Sequence, residues 1–282
     1  MLESGSPLFS FEYFPPKTAK GERKLFDTIR AMKSLKPAFV SITCGAAGTT
    51  RARTVEWAER IKNDIGLQVL VHLTCLGMTR HELVDAIRAV RSAGLSNILA
   101  LRGDPAQDGS EFGHPEGGCK YAIDLIQIIR DVYPEACVVG ACYPEGHVEE
   151  ADKQLDLDRL KAKCDTGLDV LITQLFFENR HYFEFVSRAR DAGIQQQIIP
   201  GIMPVTNLKQ IEKFTRMCGA TIPPELLTKL EACGDDSEAV LAVGVEHATV
   251  QCRDLIDRGA PGLHFYTLNK SPATRMIVEN LK

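Results

Sequence analysis

The sequence predicts a single-domain (β/α)8 TIM barrel spanning residues 1–282. Three observations carry this reading. Eight short apolar, β-branched runs alternate from end to end with segments of helical period. The intervals between runs are long enough for the helical crossovers that parallel pairing requires, and eight such units close naturally into a barrel. No Gly-x-Gly-x-x-Gly follows any run, which weakens the alternative of an open doubly wound sheet.

The strands are expected at 8–13 (LFSFEY), 38–43 (AFVSIT), 67–74 (LQVLVHLT), 97–101 (NILAL), 137–142 (CVVGAC), 169–176 (DVLITQLF), 197–202 (QIIPGI) and 262–267 (GLHFYT). Between them, Ala122, Ile126, Ile129 and Tyr133 mark one helical face, and Tyr182, Val186 and Ala189 another. The interval 206–261 holds three helical pieces, about 206–217, 223–233 and 237–258, the middle one opened by Pro223-Pro224. No repeat, low-complexity tract or Pro/Ser-rich linker announces a second domain.

Composition narrows the class. Hydrophobic residues make up 44% and charged residues 25%, the balance of a soluble globular protein. A net charge of −4 leaves no basic footprint for nucleic acid. No apolar run reaches bilayer-spanning length, and Met1 to Pro7 lacks a signal-peptide pattern, so a cytoplasmic location is expected. The nine cysteines form no Cys-x-x-Cys pair, which argues against a zinc site, an iron–sulfur cluster within this chain or a disulfide framework. His81-Glu82 lacks the second histidine of a zinc-protease motif.

In a barrel, a polar residue at the carboxyl end of a strand points to chemistry. Seven of the runs end in such residues: Glu12; Thr43; His72 and Thr74; Arg102 and Asp104; Tyr143 and His147; Gln174; and Tyr266, Asn269 and Lys270. Alternation sets Ser10, Glu12 and Phe14 on one side of the first strand and Phe9, Phe11 and Tyr13 on the other. The aromatic trio suits the layer beneath the helices, so Glu12 is expected at the barrel mouth, desolvated and with a raised pKa suited to a general acid. The alternative is a carboxylate that merely pairs with Arg102 or Lys270. Gly103 lets a ligand approach the backbone and Asp104 offers a fixed charge, although an Asx turn before Pro105 has the same form. His72 on its apolar strand reads as a hydrogen-bonded core histidine or as a ligand. Gln174 is suited to reading an amide or ring edge. Phe176, Phe177 and the methionines are core by default.

As a set these segments resemble the methylenetetrahydrofolate reductase family. The resemblance rests on Phe11-Glu12-Tyr13-Phe14-Pro15-Pro16-Lys17, His72-Leu73-Thr74-Cys75, Leu101-Arg102-Gly103-Asp104 and Tyr143-Pro144-Glu145-Gly146-His147. It continues in Ile172-Thr173-Gln174-Leu175-Phe176-Phe177, Pro200-Gly201-Ile202-Met203-Pro204 and His264-Phe265-Tyr266-Thr267-Leu268-Asn269, in order from residue 8 to about 280. It implies a catalytic barrel in one-carbon metabolism, serving methionine biosynthesis. There FAD takes electrons from NAD(P)H, and methylenetetrahydrofolate is reduced to 5-methyltetrahydrofolate.

By that resemblance Glu12 is the general acid, Asp104 the carboxylate beside flavin and pterin, and Gln174 the contact to nicotinamide and folate in turn. Lys270 stands where the family uses a basic residue for the folate. Thr43, Ala46, His72, Arg102, Gly103, Asp104, Ala122, Tyr143, His147, Asp156 and Lys163 fall at flavin-binding positions. Cys44 replaces an aromatic residue found in some members. Leu208 replaces a stacking Phe of well-known bacterial ones. Some members work with an iron–sulfur partner subunit, so either that or a nicotinamide is an expected donor, and a homo-oligomer is the expected assembly. Two rivals stay open: another FAD barrel, such as one oxidising proline, and a flavin- or folate-binding subunit of a larger complex.

Overall fold

Runs rich in Val, Ile, Leu and Phe form strands when both faces can be buried, one under helices and one in a barrel interior. The computed structural model of the chain describes residues 8–16, 18–44, 51–103 and 118–282. In it each predicted run is a strand: β1 (Leu8–Tyr13), β2 (Phe39–Ile42), β3 (Val69–Thr74), β4 (Asn97–Leu101), β5 (Cys137–Cys142), β6 (Val170–Leu175), β7 (Gln197–Ile202) and β8 (Gly262–Tyr266). All pair in parallel in chain order, and β8 returns to β1 to close the barrel.

Ten α-helices are present among the described residues: α1 (Ala19–Met32), α2 (Arg51–Arg60), α3 (Arg80–Ser92), α4 (Ala122–Val132), α5 (Lys153–Asp165), α6 (Asn179–Asp191), α7 (Leu208–Cys218), α8 (Pro224–Ala232), α9 (Ser237–Asp257) and α10 (Pro272–Asn280). Their starts follow local chemistry. Thr79 and Glu82 cap α3 reciprocally, Asp152 accepts from the first turn of α5, and Asp236 does so for α9. Each cap is worth about 1 kcal/mol. Pro224 sits in the first turn of α8, where its missing N–H costs nothing. The faces are close to those expected: α4 buries Leu125, Ile126, Ile128 and Ile129, with Ala122 and Tyr133 at its two ends, and α6 buries Tyr182, Phe185 and Ala189.

Strand alternation separates two cores. Phe11, Tyr13, Leu263 and Phe265 point outward beneath the helices with Ile29, Trp57 and Ile129. Leu70, Leu99, Val139, Ile172 and Ile199 fill the barrel interior. A third cluster, including Leu175, Phe177, Met203, Val205 and Leu230, packs α7, α8 and α9 onto the ends of β6 and β7. Truncating one interior isoleucine to alanine should cost about 2–5 kcal/mol. Met32, Met78 and Met203 are buried as expected, whereas Met217 and Met276 are exposed, because they fall on the outer faces of α7 and α10. No helix among the described residues is long and apolar enough to cross a membrane.

Candidate active site

Inward parity on β1, β2, β3 and β8 brings polar side chains together at the carboxyl end of the interior. Glu12 pairs in register with Ser41 on one side and with Tyr266 on the other. Its Oε2 accepts from the Ser41 hydroxyl at 3.4 Å and lies 3.5 Å from His264 Nε2 and 3.3 Å from His72 Nε2. All four residues are buried. Behind them Ser10 Oγ donates to the Leu263 carbonyl and lies 2.8 Å from His264 Nδ1. His264 thus links β8 to β1, with Nδ1 facing Ser10 and Nε2 facing Glu12.

This corrects two expectations for Glu12. Its partners are histidines, not Arg102 or Lys270, and its pKa is lowered rather than raised. Burial pushes the carboxyl up. The His264 hydrogen bond, the charges of His72 and His264, and the Ser41 hydroxyl together outweigh it. At neutral pH the hydrogen bonds from His264 and Ser41 carry the effect, because burial holds His72 down to about 4, in its uncharged form. His72 is buried on its strand as expected. Its Nε2 makes no hydrogen bond among the described residues.

A second group lines the ends of β4 and β5. Arg102 grips Glu149 through two hydrogen bonds of 2.6 and 2.8 Å, and this holds the Glu149 carboxyl below its usual range. Gly103 follows at φ +91°, a backbone conformation that a side chain would strain. Tyr143 and His147 meet edge to face at 4.6 Å, and the His147 N–H donates to Asp156. The Glu149 N–H donates to His147 Nδ1, which leaves Nε2 as the hydrogen-bearing nitrogen. Lys163 is half-buried with its Nζ 2.6 Å from the Ala141 carbonyl, and desolvation lowers its pKa. Thr43 is anchored by its N–H to the Tyr13 carbonyl, and Ala122 opens α4.

Gln174 lies on the facing wall, half-buried, with its Oε1 accepting from the Leu175 N–H. Lys270 is exposed beyond β8, after two residues, Leu268 and Asn269, in left-handed backbone. Ala46 and Asp104 lie outside the described residues. Sequence reasoning missed Ser10, Ser41, His264 and Glu149 as members of the site. For His264 a signal existed, since it shares inward parity with Tyr266 two positions on.

A sequence profile described as methylenetetrahydrofolate reductase matches residues 1–282. The chain belongs to the methylenetetrahydrofolate reductase family. It is 40% identical over 291 residues to methylenetetrahydrofolate reductase (NADH) 1 of Arabidopsis thaliana, covering 100% of this chain and 49% of that protein. The chain thus spans about half the length of the plant relatives it matches. It is also 40% identical over 272 residues to 5,10-methylenetetrahydrofolate reductase of Escherichia coli, covering 96% of this chain and 90% of that one. Among solved structures, a Clostridium thermocellum protein described as binding two copies of 5-methyl-5,6,7,8-tetrahydrofolic acid aligns with a TM-score of 0.65 at 16% identity, over 98% of this chain and 94% of that one. That likeness is one of fold. Within the methylenetetrahydrofolate reductase family, this chain combines a buried Glu–His–Ser cluster with a basic strand-end rim on one barrel face.

Proposed function

We propose that this chain reduces 5,10-methylenetetrahydrofolate to 5-methyltetrahydrofolate, using FAD and electrons from NADH, with the barrel over residues 1–282 as the catalytic unit. The observation that carries the reading is Glu12, a buried carboxyl linked to His264 and Ser41 at the carboxyl end of the interior. Relatives whose names specify NADH support that donor.

The residues present fit a flavin dinucleotide. His72 offers a buried ring nitrogen that makes no hydrogen bond among the described residues, and Arg102 is held by a half-exposed carboxylate that a phosphate can replace. Thr43, Ala46, Gly103, Asp104, Ala122, Tyr143, His147, Asp156 and Lys163 complete the set of residues that would hold it. When bound, FAD supplies the hydride carrier between nicotinamide and folate.

The chain's own residues supply proton chemistry and electrostatics. Opening the five-membered folate ring expels an amine nitrogen that leaves poorly as an anion, so Glu12 delivers a proton to it. The carboxyl is acidic while hydrogen-bonded to His264 and Ser41, so it must take up this proton once the ligands are bound. Bound ligands exclude water from Glu12, which favours its protonated form. Asp104 places negative charge where the ring-opened folate becomes cationic. Gln174 hydrogen-bonds nicotinamide and pterin in turn, and Lys270 meets the carboxylates of the folate.

The test uses the purified chain. Mass analysis of released cofactor is expected to give FAD, NADH is expected to bleach it, and methylenetetrahydrofolate is expected to restore the colour with formation of 5-methyltetrahydrofolate. Release of FMN alone, or no flavin uptake after reconstitution with FAD, overturns the reading. Bleaching only by NADPH or by a protein donor overturns the choice of NADH.

A further inference from the structure

Strand β7 reads Gln-Ile-Ile-Pro-Gly-Ile, and proline in a central strand has no N–H to give to the ladder. The ladder responds beside it. Ile172 pairs with Ile199 and Leu175 with Gly201, so Thr173 and Gln174 together oppose the single residue Pro200. That is a β-bulge, a device that re-aims side chains and is common beside active sites. Its hydrogen bonds are rerouted. The Gly201 N–H donates to the Thr173 side-chain Oγ1 at 2.9 Å, and the Thr173 carbonyl accepts instead from the Tyr266 hydroxyl at 2.5 Å. Glycine at 201 is required by this closeness, since a Cβ there would stand 2.6 Å from the Tyr266 hydroxyl and collide with the Thr173 carbonyl.

Tyr266 therefore spans two walls of the site. Its ring meets His264 edge to face at 5.4 Å, while its hydroxyl reaches across β7 to the residue preceding Gln174. We propose that Tyr266 is a positioning residue for Gln174, its hydroxyl locking the β6 bulge from which Gln174 projects. The proposal rests on the reading of Gln174 as a ligand-contacting residue. Within the bulge, regular alternation no longer fixes the direction of Gln174. The Tyr266–Thr173 bond and the Leu175 N–H to Gln174 Oε1 bond do so instead.

The test is a double-mutant cycle on the flavin-loaded protein. Tyr266→Phe removes one hydroxyl and keeps the ring against His264. Losing the partner of a buried carbonyl is expected to raise KM for methylenetetrahydrofolate about five- to tenfold, with kcat changed far less. Thr173→Val, which removes the acceptor for the Gly201 N–H, is expected to do the same and carries the test if Tyr266→Phe does not fold. Gln174→Ala is expected to raise the same KM, and Tyr266→Phe added to it is expected to raise it no further. Multiplying effects would show that Tyr266 acts independently of Gln174 and overturn the proposal. So would a silent Tyr266→Phe beside an impaired Gln174→Ala, which would leave the Gln174 reading standing. A shifted pH profile in Tyr266→Phe with KM unchanged would place its action on His264 and overturn it as well. A silent Gln174→Ala would sink the reading of Gln174 and the proposal with it.

Discussion

Glu12 Oε2 lies 3.5 Å from His264 Nε2, and the two residues stand 252 positions apart in the chain. They meet because β1 and β8 are sheet neighbours whose inward-facing positions fall at one level, Glu12 pairing with Tyr266 and Ser10 with His264. The contact gives a buried carboxyl an imidazole partner that is itself backed by Ser10. Four predictions come from this cluster and the wall opposite.

Glu12→Gln keeps the side chain's shape and removes its acidic proton. Reoxidation of reduced flavin by methylenetetrahydrofolate is expected to slow by roughly 10²–10⁴-fold. Flavin reduction by NADH needs no proton delivered to a folate nitrogen and is expected to change little. Stopped-flow absorbance separates the two half-reactions. Equal slowing of both would make Glu12 a structural residue.

His264→Asn removes the hydrogen bond and the charge that oppose burial at Glu12. The Glu12 carboxyl pKa therefore rises in the variant. A general acid works protonated, so its rate falls as pH rises through that pKa. The falling limb of the folate half-reaction is expected to move to higher pH in His264→Asn, with the rate lower overall. A pH–rate profile with an unmoved limb would separate His264 from proton delivery.

His72 gives a stability prediction. Burial lowers its pKa from near 6.5 in the unfolded chain to about 4. Between those values the unfolded chain binds the proton and the folded one does not, so stability is full above about pH 6.5 and falls as pH drops toward 4. By pH 5 the loss should reach about 2 kcal/mol. Thermal melting of the flavin-free protein at pH 7.5 and pH 5 measures it, and His72→Asn is expected to flatten the difference. An unflattened slope would assign the acid sensitivity to other groups.

Leu208 opens α7 and packs against the cluster that holds Leu175, Met203 and Val205, as do Phe214 and Tyr266. An aromatic ring there can stack on a bound nicotinamide, at about 0.5–1.5 kcal/mol beyond burial. Leu208→Phe is expected to tighten NADH severalfold in the flavin-reduction half-reaction. An unchanged dissociation constant would show that the donor does not rest on this position.

Much of the fold was legible because it is local. The apolar runs and helical intervals state the strands and crossovers outright, and inward Glu12 follows from alternation within six residues of β1. The trimmed edges reflect the ends of pairing: β3 begins at Val69, with Leu67 and Gln68 left in the turn after Gly66. The site was legible only in part, since its partners are set by closure of the barrel. His264 sits between Leu263 and Phe265 and reads locally as one more core aromatic. For the same reason the pKa of Glu12 was expected with the wrong sign. Burial can be read from one strand, whereas the opposing hydrogen bonds come from β2 and β8. The β6 bulge had a local herald in Pro200-Gly201, but its effect falls on the neighbouring strand.

The Asn269 side chain accepts from the Phe14 N–H at 2.7 Å and donates to the Phe14 carbonyl at 2.9 Å, and the Thr267 hydroxyl donates to the Glu12 carbonyl. These bonds fasten the seam between β1 and β8 just above the site. During synthesis β1 is made seven strands before β8, so Glu12 is without the His264 imidazole until the last strand of the barrel has followed. The Glu12–His264 contact thus arrives in one step, together with closure of the ring.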